Sequence, residues 1–230
     1  MSSLSLRQRC ALGASLGLLC LALALEIYLY APQWDLEVLR VIVAQRTPPL
    51  TYLASFLSSL AQSSTITLLS LLGVLLALRE RHFQAAWQMS LPLALAALTS
   101  SLLKAYLMRP RPPAWGIAPL VAEPYYSFPS GHATVASAWG LALLILLYRA
   151  QWSKRLKIAL SLIIVFLIGG VGWSRLYNGV HFPSDLLAGL GLGLFYNCAF
   201  LGLSYPNKKV SPLSQGERGD YLEDGASNRT

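Results

Sequence analysis

The chain has 230 residues, of which 55% are hydrophobic and only 12% are charged. Ordinary soluble domains carry about 25% charged residues, and here the few charges lie between long apolar stretches. This composition excludes a conventional soluble domain and indicates several membrane-spanning helices. The net charge of +8 reflects basic loops and contact with anionic lipid, so we expect no nucleic acid partner.

Six charge-poor stretches are long enough to cross a bilayer, which takes about 20 helical residues. In chain order, the predicted spans cover residues 10–30, 50–78, 83–107, 130–148, 157–174 and 184–204. We therefore predict an all-α bundle of six transmembrane helices that forms one domain over residues 1–207. Residues 208–230 are polar and lack periodicity, which predicts a disordered cytoplasmic tail.

The first two spans leave alternatives open. The first follows Arg7 and Arg9 and contains Ala22-Leu23-Ala24, a pattern that also fits a cleavable signal peptide. We favour an uncleaved helix, because the apolar character continues to Tyr30. The second span is longer than a bilayer requires, so it is either tilted or begins with an interfacial stretch.

The basic residues assign an orientation to the spans. Both termini and the loops after spans two and four carry most of the Lys and Arg. The positive-inside rule places these segments in the cytoplasm. We therefore expect a multi-pass protein of the bacterial inner (plasma) membrane, whose other loops face the periplasmic side.

The first polar cluster lies on that outer side, where cations are disfavoured. Lys104 lies near the end of span three, and Arg109 and Arg111 follow in a proline-rich loop. A snorkelling lysine and a helix stop would explain them separately. Their position suggests instead that they bind something.

The second cluster is Pro129-Ser130-Gly131-His132, at the start of span four. Ser130 is suited to cap the helix, and Gly131 leaves the backbone open to close approach. The first N–H groups of a helix have no internal partners and carry positive partial charge, so this is a prepared anion site. An ordinary serine cap would not explain His132.

The third cluster joins spans five and six. Arg175 leaves span five, while His181 and Asp185 flank the start of span six. A carboxylate that accepts from one ring nitrogen fixes the tautomer and leaves a lone pair on the other nitrogen. A histidine that merely caps the helix is the alternative.

Antiparallel packing of consecutive spans would bring the three clusters to one face. The converging residues are Lys104, Arg111, Ser130, Gly131, His132, Arg175, His181 and Asp185. Three cations and a helix N-terminus suit a phosphoryl group in transfer. Carboxylates are too scarce for a metal cage, since Asp185 engages His181 and Glu123 stands alone in its loop. We therefore expect a reaction without metal or cofactor.

The two histidines of this set would divide the chemistry. His181, oriented by Asp185, is predicted to attack the phosphorus. His132 is predicted to protonate the leaving oxygen and later to activate water against the phosphohistidine. If the roles were swapped, Asp185 would have no clear task.

The three clusters resemble the three-part signature of the type 2 phosphatidic acid phosphatase superfamily. Its parts are matched in order and spacing by Lys104 with Arg111-Pro112, by Pro129-Ser130-Gly131-His132, and by Ser174-Arg175 with His181 and Asp185. That superfamily includes membrane lipid phosphatases, glucose-6-phosphatase and soluble vanadium haloperoxidases. The resemblance implies a metal-free phosphohistidine route and adds a role for Ser130 and Gly131 as phosphate ligands.

A site at the membrane boundary favours an amphipathic substrate in the outer leaflet. Undecaprenyl diphosphate is favoured because Arg109 could hold a second phosphate, and phosphatidic acid and phosphatidylglycerol phosphate are alternatives. Residues 62–65, Gln-Ser-Ser-Thr, could line a substrate groove or hydrogen-bond between helices. No required protein partner is evident. A lipid-to-lipid phosphotransferase would use the same residues.

An anion transporter is the rival from outside the enzymes. It should carry ionisable residues deep within its spans, or broken helices in paired halves. The unusual residues within the predicted spans are small instead of ionisable, namely Gly169, Gly170, Gly172, Gly189 and Gly193. We expect these glycines to allow close helix packing.

Overall fold

The computed structural model describes residues 4–204, over which the chain forms eight α-helices and a one-turn 3₁₀ helix. The helices are α1 (Leu6–Tyr30), α2 (Pro32–Val43), α3 (Pro48–Leu60), α4 (Ser63–Arg79), α5 (Phe83–Leu107), α6 (Gly131–Arg149), α7 (Lys154–Tyr177) and α8 (Pro183–Ser204). The all-α prediction is confirmed. The predicted tail, residues 208–230, lies outside the described residues.

Five of these helices, α1 and α5 to α8, are each long and apolar enough to cross a membrane. The helices α3 and α4 meet at a bend of 44° and, counted together as one bent span, are the sixth candidate crossing. The prediction of a polytopic helical membrane protein is therefore confirmed, while the cytoplasmic location of the termini stays a prediction.

The second predicted span is not one continuous helix. It breaks at Ala61 and Gln62, where Gln62 has an extended backbone. Thr65 donates its hydroxyl to the carbonyl of Ser59 at 3.2 Å, which satisfies one of the backbone groups freed by the break. The polar residues in this stretch thus permit a bend that apolar residues alone would not stabilise.

The helix α2 occupies a segment that the sequence analysis treated as loop. It begins with a proline in its first turn, a favourable position for that residue. Leu36 and Leu39 are buried against Phe182, with Val43 packed beside them. Their spacing of three to four residues forms the apolar stripe of an amphipathic helix, and the same face buries Asp35 completely.

The helix α8 lies between α1, α5 and α6, and its glycines permit close contact. A β-carbon at Gly191 would lie 2.6 Å from the carbonyl oxygen of Gly17 in α1. A β-carbon at Gly189 would lie 2.8 Å from the backbone nitrogen of Thr134 in α6. Gly193 faces Ser137 one turn further along α6. The expectation of close packing is correct for Gly189 and Gly193.

The glycines of α7 differ among themselves. Gly170 faces Leu57 and Gly172 faces Leu186, each at 3.2 Å from a β-carbon built on the glycine. Gly169 has nothing within 4 Å of such a β-carbon, so the expectation of packing there was wrong. Gly169 lies on the exposed face of α7, away from the other described helices.

The ends of four helices meet at one end of the bundle, which we term the site end. The backbone N–H of Ser130, before α6, donates to the carbonyl of Asp185 in α8 at 2.9 Å. Arg175 at the end of α7 bonds to Ser58 in α3. Lys104 near the end of α5 bonds to the loop that leads into α6. The predicted convergence of the three clusters therefore occurs.

Candidate active site

His181 and Asp185 form a buried pair at the start of α8. Nδ1 of His181 lies 3.2 Å from Oδ2 of Asp185, and the same oxygen accepts from the backbone N–H of Phe182 at 2.8 Å. The side chains are almost inaccessible, with exposures of 2% and 0%. A carboxylate at Nδ1 directs the ring proton to that nitrogen, so that Nε2 carries the lone pair.

The surroundings of His181 keep its imidazole neutral. Burial lowers the pKa of His181 well below its ordinary value of 6.5, and the positive charges of Arg111, Arg175 and Lys104 lower it further. The imidazole of His132 adds to the same effect. A neutral ring that carries no proton on Nε2 is the form required of a nucleophile.

Arg111 lies directly beside this lone pair, with its Nη1 atom 3.3 Å from Nε2 of His181. The guanidinium is fixed by three backbone carbonyls. It donates to Val180 at 2.8 Å and to Pro124 and Tyr125 at 3.0 Å each. The guanidinium of Arg111 is thus held in place by carbonyls from two segments, namely the loop before α6 and the residues just before α8.

Lys104 contacts the same loop from the α5 side. Its Nζ atom donates to the carbonyls of Tyr126 at 2.7 Å and Pro129 at 2.9 Å, with a longer contact to Ser127 at 3.4 Å. These bonds hold the chain immediately before Ser130. In this arrangement Lys104 organises the start of α6, and a direct contact with phosphate stays a prediction.

The start of α6 has the geometry of a capped helix with an accessible first turn. The hydroxyl of Ser130 accepts from the backbone N–H of Ala133 at 3.4 Å, and Ser130 is completely buried. A β-carbon at Gly131 would meet nothing within 4 Å. The backbone N–H groups of this turn can therefore be approached closely by an anion.

A cavity of about 370 Å³ lies next to this turn. It reaches from the loop and the start of α6 to the break between α3 and α4. Its lining comprises Ser55, Ser58, Ser59, Gln62, Val121, Ala122, Glu123, His132, Arg175 and Asn178. The residues from α3 and the break are polar, which fits the alternative that Gln62 lines a substrate groove.

Glu123 joins the cations of the site. Its carboxylate bonds to the guanidinium of Arg175, and its other oxygen lies 3.7 Å from Nη2 of Arg111. The expectation that Glu123 stands alone in its loop was therefore wrong. A carboxylate bridging two guanidinium groups occupies the kind of position that phosphoryl oxygens take. A phosphate bound by the same two guanidinium groups would compete with it for their N–H groups.

Arg109 does not face the cavity. Its side chain is 3% exposed, and it donates to Asp185 and Asp35 at 2.7 Å each. It also donates to the hydroxyl of Ser184 at 2.7 Å. The expectation that Arg109 could hold a second phosphate was wrong, because its guanidinium is already enclosed by two carboxylates.

Three site residues escaped the sequence analysis. Asp35 belongs to α2, whose amphipathic spacing was the available signal, but this segment was treated as loop. Ser58 lies in a long apolar stretch, where a serine is unremarkable in sequence. Glu123 lies in an irregular loop, and no local pattern connects it with Arg175, 52 residues later.

Similar proteins carry the same architecture. The model of the PAP2 superfamily matches residues 85–209. A phosphatidylglycerophosphatase B of Bacillus subtilis is 34% identical over 191 residues, which span 78% of this chain and 88% of that protein. An undecaprenyl-diphosphatase of Sulfolobus acidocaldarius is 35% identical over 92 residues, 38% of this chain and 39% of that protein.

A solved structure extends the likeness to three dimensions. The crystal structure of a transmembrane PAP2-type phosphatidylglycerolphosphate phosphatase from Bacillus subtilis superposes with a TM-score of 0.74 at 29% identity. The superposition covers 86% of this chain and 98% of that one. The helical bundle is therefore that of a known membrane fold.

Proposed function

Because the chain belongs to the PAP2 superfamily and is a membrane lipid phosphatase, we propose that it cleaves its substrate through a phosphohistidine at His181, without a metal ion. The observation that supports this route best is the line of contacts from Asp185 through His181 to Arg111. It places an oriented, neutral imidazole beside a fixed cation. That is the arrangement that an in-line attack on a phosphoryl group requires.

In the first step, Nε2 of His181 forms a bond to phosphorus as the bond to the lipid oxygen breaks. Asp185 accepts the hydrogen bond from Nδ1–H and stabilises the positive ring that results. His132, in the cavity wall, donates a proton to the departing lipid oxygen. Arg111, Arg175 and Lys104 offset the negative charge on the equatorial oxygens, and the first N–H groups of α6 bind it as well.

In the second step, His132 accepts a proton from water, and the water oxygen attacks the phosphorus. The bond from phosphorus to Nε2 breaks, inorganic phosphate leaves and His181 returns to its neutral form. Because fixed guanidinium and ammonium groups offset the developing charge, no metal ion is needed for this task.

We propose phosphatidylglycerol phosphate as the substrate to test first. The relative from Bacillus subtilis that carries this activity in its name is matched over most of both chains. The argument for a diphosphate rested on Arg109, which is enclosed by carboxylates. Undecaprenyl diphosphate remains the second candidate, because a relative of that name is similar over a shorter region. In either case the headgroup would reach the site from the periplasmic leaflet.

The test is phosphate release by the purified protein in lipid–detergent micelles containing a chelator. Phosphatidylglycerol phosphate, phosphatidic acid and undecaprenyl diphosphate are assayed side by side. We expect chelator-resistant release of inorganic phosphate that is lost in His181→Ala. Loss of turnover on chelation would overturn the metal-free route, and phosphate recovered on a second lipid would identify a phosphotransferase. Anion flux through liposomes without hydrolysis would identify a transporter.

A further inference from the structure

Behind the catalytic pair lies a second buried group of charges. Nη2 of Arg109 lies 2.7 Å from Oδ2 of Asp35, and its Nη1 lies 2.7 Å from Oδ1 of Asp185. The carboxylate of Asp35 also accepts from the backbone N–H of Ser184 at 2.9 Å and from its hydroxyl. The exposures of Asp35, Arg109 and Asp185 are 0%, 3% and 0%. The helix α2 is thereby joined to the start of α8.

Two aromatic rings hold the Arg109 guanidinium in this position. Its carbon Cζ lies 4.1 Å from the ring centre of Phe182 and 4.6 Å from that of Tyr28. Rings near the guanidinium leave its N–H groups free to bond within the guanidinium plane. The carboxylates of Asp35 and Asp185 accept hydrogen bonds from these N–H groups. The guanidinium group of Arg109 is therefore fixed both by packing against the two rings and by its ion pairs with the two carboxylates.

The sum of charges in this group has a consequence for His181. Arg109 and Asp185 alone would form a neutral pair, and much of the negative charge behind the imidazole would be cancelled. Asp35 supplies a second carboxylate, so that the three side chains together carry one negative charge. Because the group is buried, its field is weakly screened. A net negative charge therefore acts on the His181 ring through Asp185.

This charge matters most when the ring becomes positive. Transfer of the phosphoryl group to Nε2 leaves the His181 ring protonated at Nδ1 and positively charged. A net negative group behind Nδ1 stabilises that state relative to the neutral ring. A neutral Arg109–Asp185 pair would stabilise it less.

We propose that Asp35 and Arg109 are positioning residues that set the charge and orientation of Asp185 against His181. This inference rests on the proposed phosphohistidine route and adds α2 to the parts of the fold that the reaction needs. Neither residue touches the substrate. Their effect passes through Asp185.

The first variant is Asp35→Asn, which keeps the shape of the side chain and removes one charge. We expect kcat to fall by about tenfold to a hundredfold, by analogy with residues that orient metal-binding histidines through their second ring nitrogen. KM should change much less, because the substrate is not contacted. Glu37→Gln is the matched control, since Glu37 is an exposed acid on the same helix. It should behave as wild type.

The second variant separates charge from structure. Asp35→Asn combined with Arg109→Gln restores the net charge of one negative, now carried by Asp185 alone, so part of kcat should be recovered relative to Asp35→Asn alone. A purely structural role predicts the opposite, because removing both partners disrupts more contacts. A double variant with activity no higher than the single one would overturn the proposal.

A substrate-free measurement distinguishes this inference from the proposed function. In protein labelled with ¹⁵N-histidine, the Nδ1–H resonance of His181 is identified by its loss in His181→Ala. We expect it to shift in Asp35→Asn and not in Glu37→Gln. If wild type hydrolyses no lipid phosphate and the shift occurs, the positioning role stands and the proposed function fails. If wild type hydrolyses lipid and Asp35→Asn matches Glu37→Gln in kcat and resonance, the positioning role is refuted.

Discussion

Nη1 of Arg111 lies 3.3 Å from Nε2 of His181, so the nitrogen that we propose as the nucleophile lies beside a cation that we propose to bind phosphate. A phosphoryl group held by this guanidinium would have its phosphorus near the attacking nitrogen. Reacting atoms held about 3–3.5 Å apart gain much of the advantage of an intramolecular reaction. The loop carbonyls that fix Arg111 therefore bear on rate as well as on binding.

The carboxylate of Glu123 pairs with Arg111 and Arg175, the two guanidinium groups that we propose to bind phosphate, so we expect it to compete with phosphate for them. Glu123→Gln removes its charge and keeps its shape, so KM should decrease by roughly threefold to tenfold, equivalent to about 1 kcal/mol. Inhibition by inorganic phosphate should strengthen in parallel. Steady-state kinetics in micelles measures both quantities.

The control for this variant is Glu80→Gln, because Glu80 is 67% exposed at its side chain and lies at the end of α4 remote from the break. It should leave KM unchanged. An increase in KM for Glu123→Gln, in protein that unfolds at the wild-type temperature, would show that Glu123 assists phosphate binding instead of opposing it.

The ionisation of His181 should be displaced to low pH. Burial and the adjacent cations lower its pKa well below 6.5, so the ring remains neutral and nucleophilic as the pH falls through that value. Only at lower pH should protonation remove the lone pair. An NMR titration of the His181 ring nitrogens measures the midpoint directly. A midpoint at or above 6.5 would contradict the burial and the charge environment described for this residue.

The same shift links pH to stability. Below pH 6.5 the unfolded chain binds a proton at this histidine while the folded chain does not, so acidification favours unfolding. His181→Gln should therefore reduce the loss of thermal stability between neutral and mildly acidic pH. An unchanged loss in that variant would assign the acid sensitivity to other groups.

The contact between α8 and the start of α6 should tolerate no added methyl group. In Gly189→Ala, the new β-carbon would meet the backbone of Thr134 and Ser130 at 2.8 and 2.9 Å. We expect a loss of stability of about 1–3 kcal/mol. Activity should fall by up to about a hundredfold, because Ser130 and His132 would be displaced. Thermal unfolding in detergent and phosphate release measure the two effects.

Gly169→Ala is the matched control for this prediction. Its β-carbon would meet nothing within 4 Å, and alanine favours a helix over glycine by up to about 1 kcal/mol. Equal or higher stability with normal activity is expected. Equal losses in the two variants would mean that the glycines matter for helix formation and not for the α6–α8 contact.

Much of the fold could be predicted because hydrophobicity is a local property. Each apolar stretch identifies its own span, and the order of spans then brings Lys104, His132 and His181 to one end. The spacing of the polar residues adds a second local signal. The break at Ala61 and Gln62 was missed because the apolar character continues on both sides of it.

The contacts that tune the site could not be predicted in this way. Asp35 in α2 contacts Ser184, which lies 149 residues later in the sequence. Its other partner, Arg109, lies in the loop after α5. A buried ion pair can be predicted only when the positions of both partners in the fold are known. The sequence around either partner does not indicate the pairing. Arg109 was therefore taken as a cation available to a second phosphate, although Asp35 and Asp185 already enclose it.

In the proposed mechanism, His181 carries the phosphoryl group during turnover. The direct measurement is a rapid-quench experiment with substrate labelled by ³²P in its terminal phosphate, followed by mapping of the labelled peptide. We predict an acid-labile, base-stable label on the peptide that contains His181, absent from His181→Ala and retained for longer in His132→Ala. A label on a carboxylate or on another histidine, or full turnover by His181→Ala, would contradict the account.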